Sequence, residues 1–146
     1  MEGEITFFNE DITYTIDNED LVKEWINTVV TDHDYQLIGI NYILCSDEYL
    51  HKVNVEYLDH DTYTDIITFD NAEYENEIES DIFVSIDRIK DNAQSLGTNE
   101  TDELHRVLIH GILHLLGFKD KSEEDAANMR NIEDRQLAKR PIGLSS

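Results

Sequence analysis

The segment His110-Gly111-Ile112-Leu113-His114-Leu115-Leu116-Gly117-Phe118-Lys119-Asp120 constrains this 146-residue chain more than any other. It lies in the longest helical pattern, which Asn99 opens and Leu104, Val107, Leu108, Ile112 and Leu115 carry. Residues i and i+4 of a helix share a face, about 6 Å apart along the axis, so both imidazoles can meet one divalent metal. Gly117 suits the left-handed conformation that ends a helix and turns the chain back. Position 120 can then reach the same metal. The pattern His-x-x-x-His-x-x-Gly-x-x-Asp therefore predicts a site of three ligands, His110, His114 and Asp120. Two histidines at this spacing alone would be ordinary core or surface residues. The apolar flanks change that, because partly buried imidazoles need partners and a metal serves both at once. A zinc peptidase of the His-Glu-x-x-His type carries its general base directly after the first histidine. Gly111 stands there instead, so that mechanism cannot run without another base.

The rest of the chain reads as alternating short strands and amphipathic helices. Ile5–Phe8 and Ile12–Ile16 are two β-like runs. Asn18 caps a helix whose stripe is Leu21, Val22, Trp25, Ile26, Val29 and Val30. Leu37–Cys45 is a strand with Ile38, Ile40, Tyr42 and Leu44 on one face. Ser46 caps a helix through Tyr57, and Ile66–Phe69 is a short strand. The acidic stretch from Asp70 to Glu79 reads as a solvated loop or an edge strand. Ile82, Val84 and Ile86 alternate in the next strand, and Asp87 caps a helix ending at Gly97. Ser122 with Asp125 resembles a capping box before a last helix to about Ala138. The expected architecture is a single α+β domain: about four strands in a mostly antiparallel or mixed sheet, packed with four or five helices. The domain spans 1–140, and 141–146 is a tail.

Composition narrows the partners. Eleven Lys and Arg stand against 33 Asp and Glu, a formal net charge of -22. That balance opposes loose binding to nucleic acid or an anionic membrane, though one local cationic site can still hold a nucleic-acid substrate. No apolar run approaches the roughly 20 residues of a membrane span. The start, Met1-Glu2-Gly3-Glu4, is acidic where a signal peptide is basic. The single cysteine, Cys45, has no internal disulfide partner. A soluble cytoplasmic domain is expected.

With these residues in view, the chain resembles the YbeY family, metal-dependent endoribonucleases of rRNA maturation. The family signature has the form His-Gly-x-Leu-His-Leu-x-Gly-x-Asp-His, and residues 110–117 supply its first eight positions. Asn54-x-x-Tyr57, Thr64-Asp65-Ile66-Ile67-Thr68-Phe69 and Ser80-Asp81-Ile82-Phe83-Val84-Ser85 match further blocks in family order. Three positions depart. Asp120 stands at the third histidine, Leu58 at an arginine near the cleft, and Tyr63 at a proline. The resemblance implies a central metal helix and a zinc-dependent, single-strand-specific endoribonuclease. Its catalysis would run through the metal held by His110 and His114, with Asp120 as third ligand. The implied partners are rRNA and the small ribosomal subunit or its proteins, with no membrane.

Several residues stand in reserve. His60 is a candidate metal or phosphate contact, although an ordinary loop histidine is the plainer reading. Thr64 and Asp65 read first as a turn tying a loop to a strand, and second as catalytic groups. Lys119 and Lys121 flank Asp120 and either offset repulsion of phosphate or are ordinary surface lysines. Glu103 reads as a solvated first-turn residue rather than an acceptor behind a ligand. Two rival functions stay open: a metallohydrolase of another substrate, and a non-catalytic assembly factor that uses zinc to fold and dock. The acidic balance and Leu58 both favour the second rival.

The charge generates a first prediction. Salt dependence of RNA affinity counts the phosphates that Lys and Arg neutralise. Binding to naked RNA of arbitrary sequence should be weak, with a shallow slope of log affinity against log salt. Tight binding at physiological salt with a steep slope would contradict this reading of the charge.

Overall fold

A computed structural model describes residues 3–141, 143 and 144. Met1 and Glu2 of the acidic start, and Ile142, Ser145 and Ser146 of the expected tail, lie outside the described residues. The elements run β1 (Glu4–Asn9), α1 (Glu19–Asp32), β2 (Gln36–Cys45), α2 (Asp47–Leu58), β3 (Ile66–Asp70), β4 (Glu77–Ser85), α3 (Ile86–Leu96), α4 (Glu100–Leu115) and α5 (Glu123–Ala138). The four strands form one mixed sheet in the order β1-β2-β4-β3. β1 pairs with β2 and β2 with β4 in parallel, whereas β3 and β4 pair antiparallel. This is the α+β architecture expected, with five helices among the described residues.

Caps set the helix boundaries. Ser46 Oγ accepts from Tyr49 N, Ser85 Oγ from Arg88 N, Asn99 Oδ1 from Asp102 N and Ser122 Oγ from Asp125 N. Each satisfies an N-terminal amide that has no partner within the helix. Ser85, not Asp87, is the cap of α3, because Ile86 has already left the strand for the helix. Asn18 stands before α1 with φ 55°, and its side chain donates to Gly143 O at 3.1 Å instead of capping.

One face of the sheet carries the main core. Ile40, Tyr42 and Leu44 of β2 and Ile78, Ile82 and Val84 of β4 meet Trp25, Ile26 and Val29 of α1 and Leu108, Ile109 and Ile112 of α4. The expected face of β2 holds for Ile40, Tyr42 and Leu44. A register irregularity between Leu37 and Gly39 buries Leu37 and leaves Ile38 36% exposed, so Ile38 drops out of that face. α2 covers the opposite face, where Leu50 and Val53 pack with Cys45 and Ile67. The run Ile12–Ile16 forms no strand. Ile16 is nevertheless buried and Ile12 and Tyr14 pack against the core, so its apolar residues are used without strand pairing. The acidic stretch divides: residues 71–76 are turn and coil, and β4 begins at Glu77.

Helix α4 is flush with the sheet because of Gly111. A Cβ there would lie 2.9 Å from Ile66 Cδ1 and 3.3 Å from Thr68 Cγ2. The position that carries glutamate in a zinc peptidase thus points into the packed sheet, where a buried carboxylate would have no room and no water. Beyond the helix, Gly117 adopts φ 102°. Gly117 N bonds His114 O and Phe118 N bonds Leu113 O, both at 3.0 Å, the paired closure of a helix end that needs a left-handed residue.

His105, on the same helix, is 1% exposed and lies 2.8 Å from Arg140 Nη1 through its Nδ1. Burial, aided by the Arg140 charge and opposed by Asp102, pushes its pKa from 6.5 down to about 4. The folded chain therefore keeps His105 neutral where the unfolded chain would protonate it. Stability is fully present above pH 6.5 and is lost as the pH falls toward 4. Between pH 7 and pH 5 this single site should cost about 2 kcal/mol. Urea unfolding of wild type and His105→Gln at those two pH values should show a smaller loss in the variant by that order. Equal losses would show that His105 does not set the acid sensitivity.

Candidate metal centre

The three predicted ligands converge. Their donor atoms lie within 4.8 Å of one another. Asp120 Oδ2 is 3.2 Å from His110 Nε2 and 3.3 Å from His114 Nε2. The two imidazole rings stand 4.6 Å apart and nearly perpendicular, at 84°. α4 supplies both histidines on one flank, and the turn at Gly117 swings Asp120 back toward them. The side chains are part-exposed, 22% for His110, 33% for His114 and 34% for Asp120, so the group opens to solvent.

A fourth residue holds the arrangement, and the motif does not contain it. Glu133 of α5 is 5% exposed, and its Oε2 accepts from His110 Nδ1 at 2.6 Å. Its Oε1 accepts from Arg106 Nη1 at 2.8 Å. With the proton on Nδ1, the lone pair of His110 is on Nε2, the atom facing Asp120. Burial opposes charge on His110. The hydrogen bond and charge of Glu133, with Asp120 and Asp65, outweigh it and raise the imidazole above its ordinary value. Two imidazoles and a carboxylate, one imidazole with its tautomer fixed, form a donor set that suits zinc and leaves a position open.

The other sequence candidates separate. Asp65 lines a cleft of about 490 Å³ together with His110 and Asp120. Burial raises the Asp65 carboxyl, and the charges of His110 and Arg88 counter this. Thr64 Oγ1 donates to Ile66 O at 3.4 Å. His60 is exposed on the loop after α2, and its backbone N bonds Asn54 O. Lys119 and Lys121 are exposed on either side of Asp120. None of these three lines the cleft. Leu58 is 39% exposed at the end of α2. Glu103 corrects its expectation: it is 6% exposed and lines the cleft rather than facing solvent. Burial raises its carboxyl, partly offset by Arg106. Glu133 had a detectable signal in the sequence, since it falls with Met129, Ile132 and Gln136 on the buried stripe of α5.

Removing the charge from Glu133 tests its role. Support of this kind is worth about 10- to 100-fold in metal affinity. Glu133→Gln should weaken zinc binding by that factor in competition with a chromogenic chelator. Affinity equal to wild type would take Glu133 out of the centre.

Comparison with known proteins gives a consistent result. The family model described as Endoribonuclease YbeY matches residues 4–140. A protein named Endoribonuclease YbeY from Cytophaga hutchinsonii is 51% identical over 139 residues, covering 95% of this chain and 97% of that protein. One of the same name from Flavobacterium johnsoniae is 50% identical over 131 residues, covering 90% and 94%. A solution structure from Thermotoga maritima superposes with a TM-score of 0.63 at 26% identity, covering 92% of this chain and 90% of that one.

Proposed function

The chain belongs to the YbeY family of endoribonucleases, and on that premise we propose that it is a zinc-dependent, single-strand-specific endoribonuclease of rRNA maturation in the small ribosomal subunit. The observation that carries this reading is the convergence of His110, His114 and Asp120 within 4.8 Å on α4 and its closing turn. These three side chains would hold the ion. The chemistry it supplies there is Lewis-acid polarisation of a phosphodiester and activation of water for in-line displacement. Glu133 keeps the proton of His110 on Nδ1, which leaves the Nε2 lone pair free for the ion. Asp65, whose carboxyl lines the same cleft as His110, would take the proton of the attacking water and return it to the departing ribose oxygen as the P–O bond breaks. Gly111 places no carboxylate directly after His110, so the base of a His-Glu-x-x-His peptidase is missing from its usual position.

Among the described residues no helix is long and apolar enough to cross a membrane. The reading places residues 1–140 as the nuclease domain, 141–146 as a tail, and the protein in the cytoplasm with the small subunit or its proteins as partner. The net charge of -22 also supports a second reading, a non-catalytic assembly factor docking on basic ribosomal proteins. If His114→Ala leaves maturation intact while purified wild type never cuts RNA, that reading replaces the first.

Asp120 supplies the direct test. As a ligand it would bring an oxygen to about 2 Å from zinc. Asp120→Ala should then lower zinc affinity and chelator-sensitive RNA cleavage together. Asp120→His should restore or raise affinity, because imidazole is a good zinc ligand. It should also shift the alkaline limb of the pH–rate profile downward, since a neutral donor replaces an anion that partly cancelled the charge of the ion. Equal zinc affinities across wild type and both variants would remove Asp120 from the site.

A further inference from the structure

The cleft beside the metal-facing groups is unusual within so acidic a chain. Four carboxylates, Asp65, Glu103, Asp120 and Glu133, share its walls with two guanidiniums, Arg106 and Arg130. Carboxylates alone would repel a polyanion. A divalent ion together with both arginines brings these walls to formal neutrality. The two arginines are not equivalent. Arg106 is committed, at 2.8 Å to Glu133 and 2.5 Å to Asp134, with its side chain 18% exposed. Arg130 is exposed one turn before Glu133 on α5. Among the described residues it enters no ion pair, and its charge acts at longer range on Glu103. Asn92 and Ser95 of α3 line the same cleft and add neutral hydrogen-bonding groups.

We infer that Arg130 takes a backbone phosphate of a single-stranded RNA in this cleft, as a positioning residue one step away from the metal-facing groups. The guanidinium fork matches phosphate oxygens, and among the cleft's cations Arg130 is the one whose fork is not already filled by carboxylates. Asn92 and Ser95 fit sugar or phosphate oxygens of the same strand. The inference rests on the endoribonuclease reading above. It adds a named phosphate contact outside the metal ligands.

The test compares wild type, Arg130→Gln and Arg130→Lys, each loaded with zinc, on a single-stranded RNA oligonucleotide. Cleavage kinetics, equilibrium binding across a salt series, zinc affinity and melting temperature are measured. One lost phosphate contact should make the salt slope of Arg130→Gln shallower by about 0.7. KM should rise about 10-fold, as for loss of a charged hydrogen bond, with kcat within about twofold and zinc affinity unchanged. Arg130→Lys should recover the slope, because lysine still neutralises a phosphate. Equal KM and equal slope in Arg130→Gln would overturn the inference. So would a lowered melting temperature with KM and slope unchanged, which would make Arg130 a partner of Glu103 only. Wild type with no measurable RNA affinity would overturn it as well. Wild type that binds RNA but does not cut it would defeat the endoribonuclease reading alone, and the slope comparison would still decide Arg130.

Discussion

Gly111 brings α4 into side-chain contact with β3 and β4, and the candidate metal-binding groups take their positions from that contact. The helix is held by Leu108, Ile109 and Ile112 in the main core, so its rotation about its own axis is determined by packing. His110 and His114 lie on the flank that this rotation leaves part-exposed. Asp120 arrives only because the helix stops at Gly117 and the chain turns back. The donors therefore need no loop to close over them. Two are on a rigid helix and the third follows its terminal turn.

The polar side of the centre is built from α5. Arg106 and Glu133 form a part-buried ion pair, and Glu133 also bonds His110. Leaving one member of such a pair without its partner is costly in a low-dielectric setting, so the three groups hold one another in place. The same contacts have a chemical effect. A carboxylate behind an imidazole raises its basicity, which favours metal at neutral pH and proton at lower pH. Asp120 acts in the same direction on His110, and its carboxylate faces the Nε2 atoms of both imidazoles. A metal bound by this candidate group would compete with protons for one set of atoms.

Local signals were legible where local physics decided the outcome. The caps at Ser46, Asn99 and Ser122, the glycine terminators at 97 and 117, and the i, i+4 histidines all depend on a few neighbouring residues, whereas the caps expected at Asn18 and Asp87 were misread. Reading failed where distant packing decided. Ile12–Ile16 alternates like a strand, yet it packs against the core without a strand partner. Ile38 matches the period of β2, but the irregularity near Gly39 puts Leu37 inside in its place. Glu103 looks like any first-turn acid, and only the approach of the cleft walls buries it. Glu133 stands 23 residues from His110, so no spacing rule links them. Its place on the apolar stripe of α5 was the available trace.

Cys45 has a consequence for how the molecule responds to its surroundings. It is fully buried, its Sγ lies 3.5 Å from Val84 O, and burial pushes its pKa up to about 12. Thiolate is the form that oxidants and alkylating agents attack, and here it is suppressed by both protonation and burial. The candidate donors are nitrogen and oxygen, with no sulfur among them. A swing in cellular thiol poise therefore finds nothing to act on in the sheet or at the centre. Disulfide exchange and thiol modification at position 45 therefore wait on unfolding of the sheet that buries it.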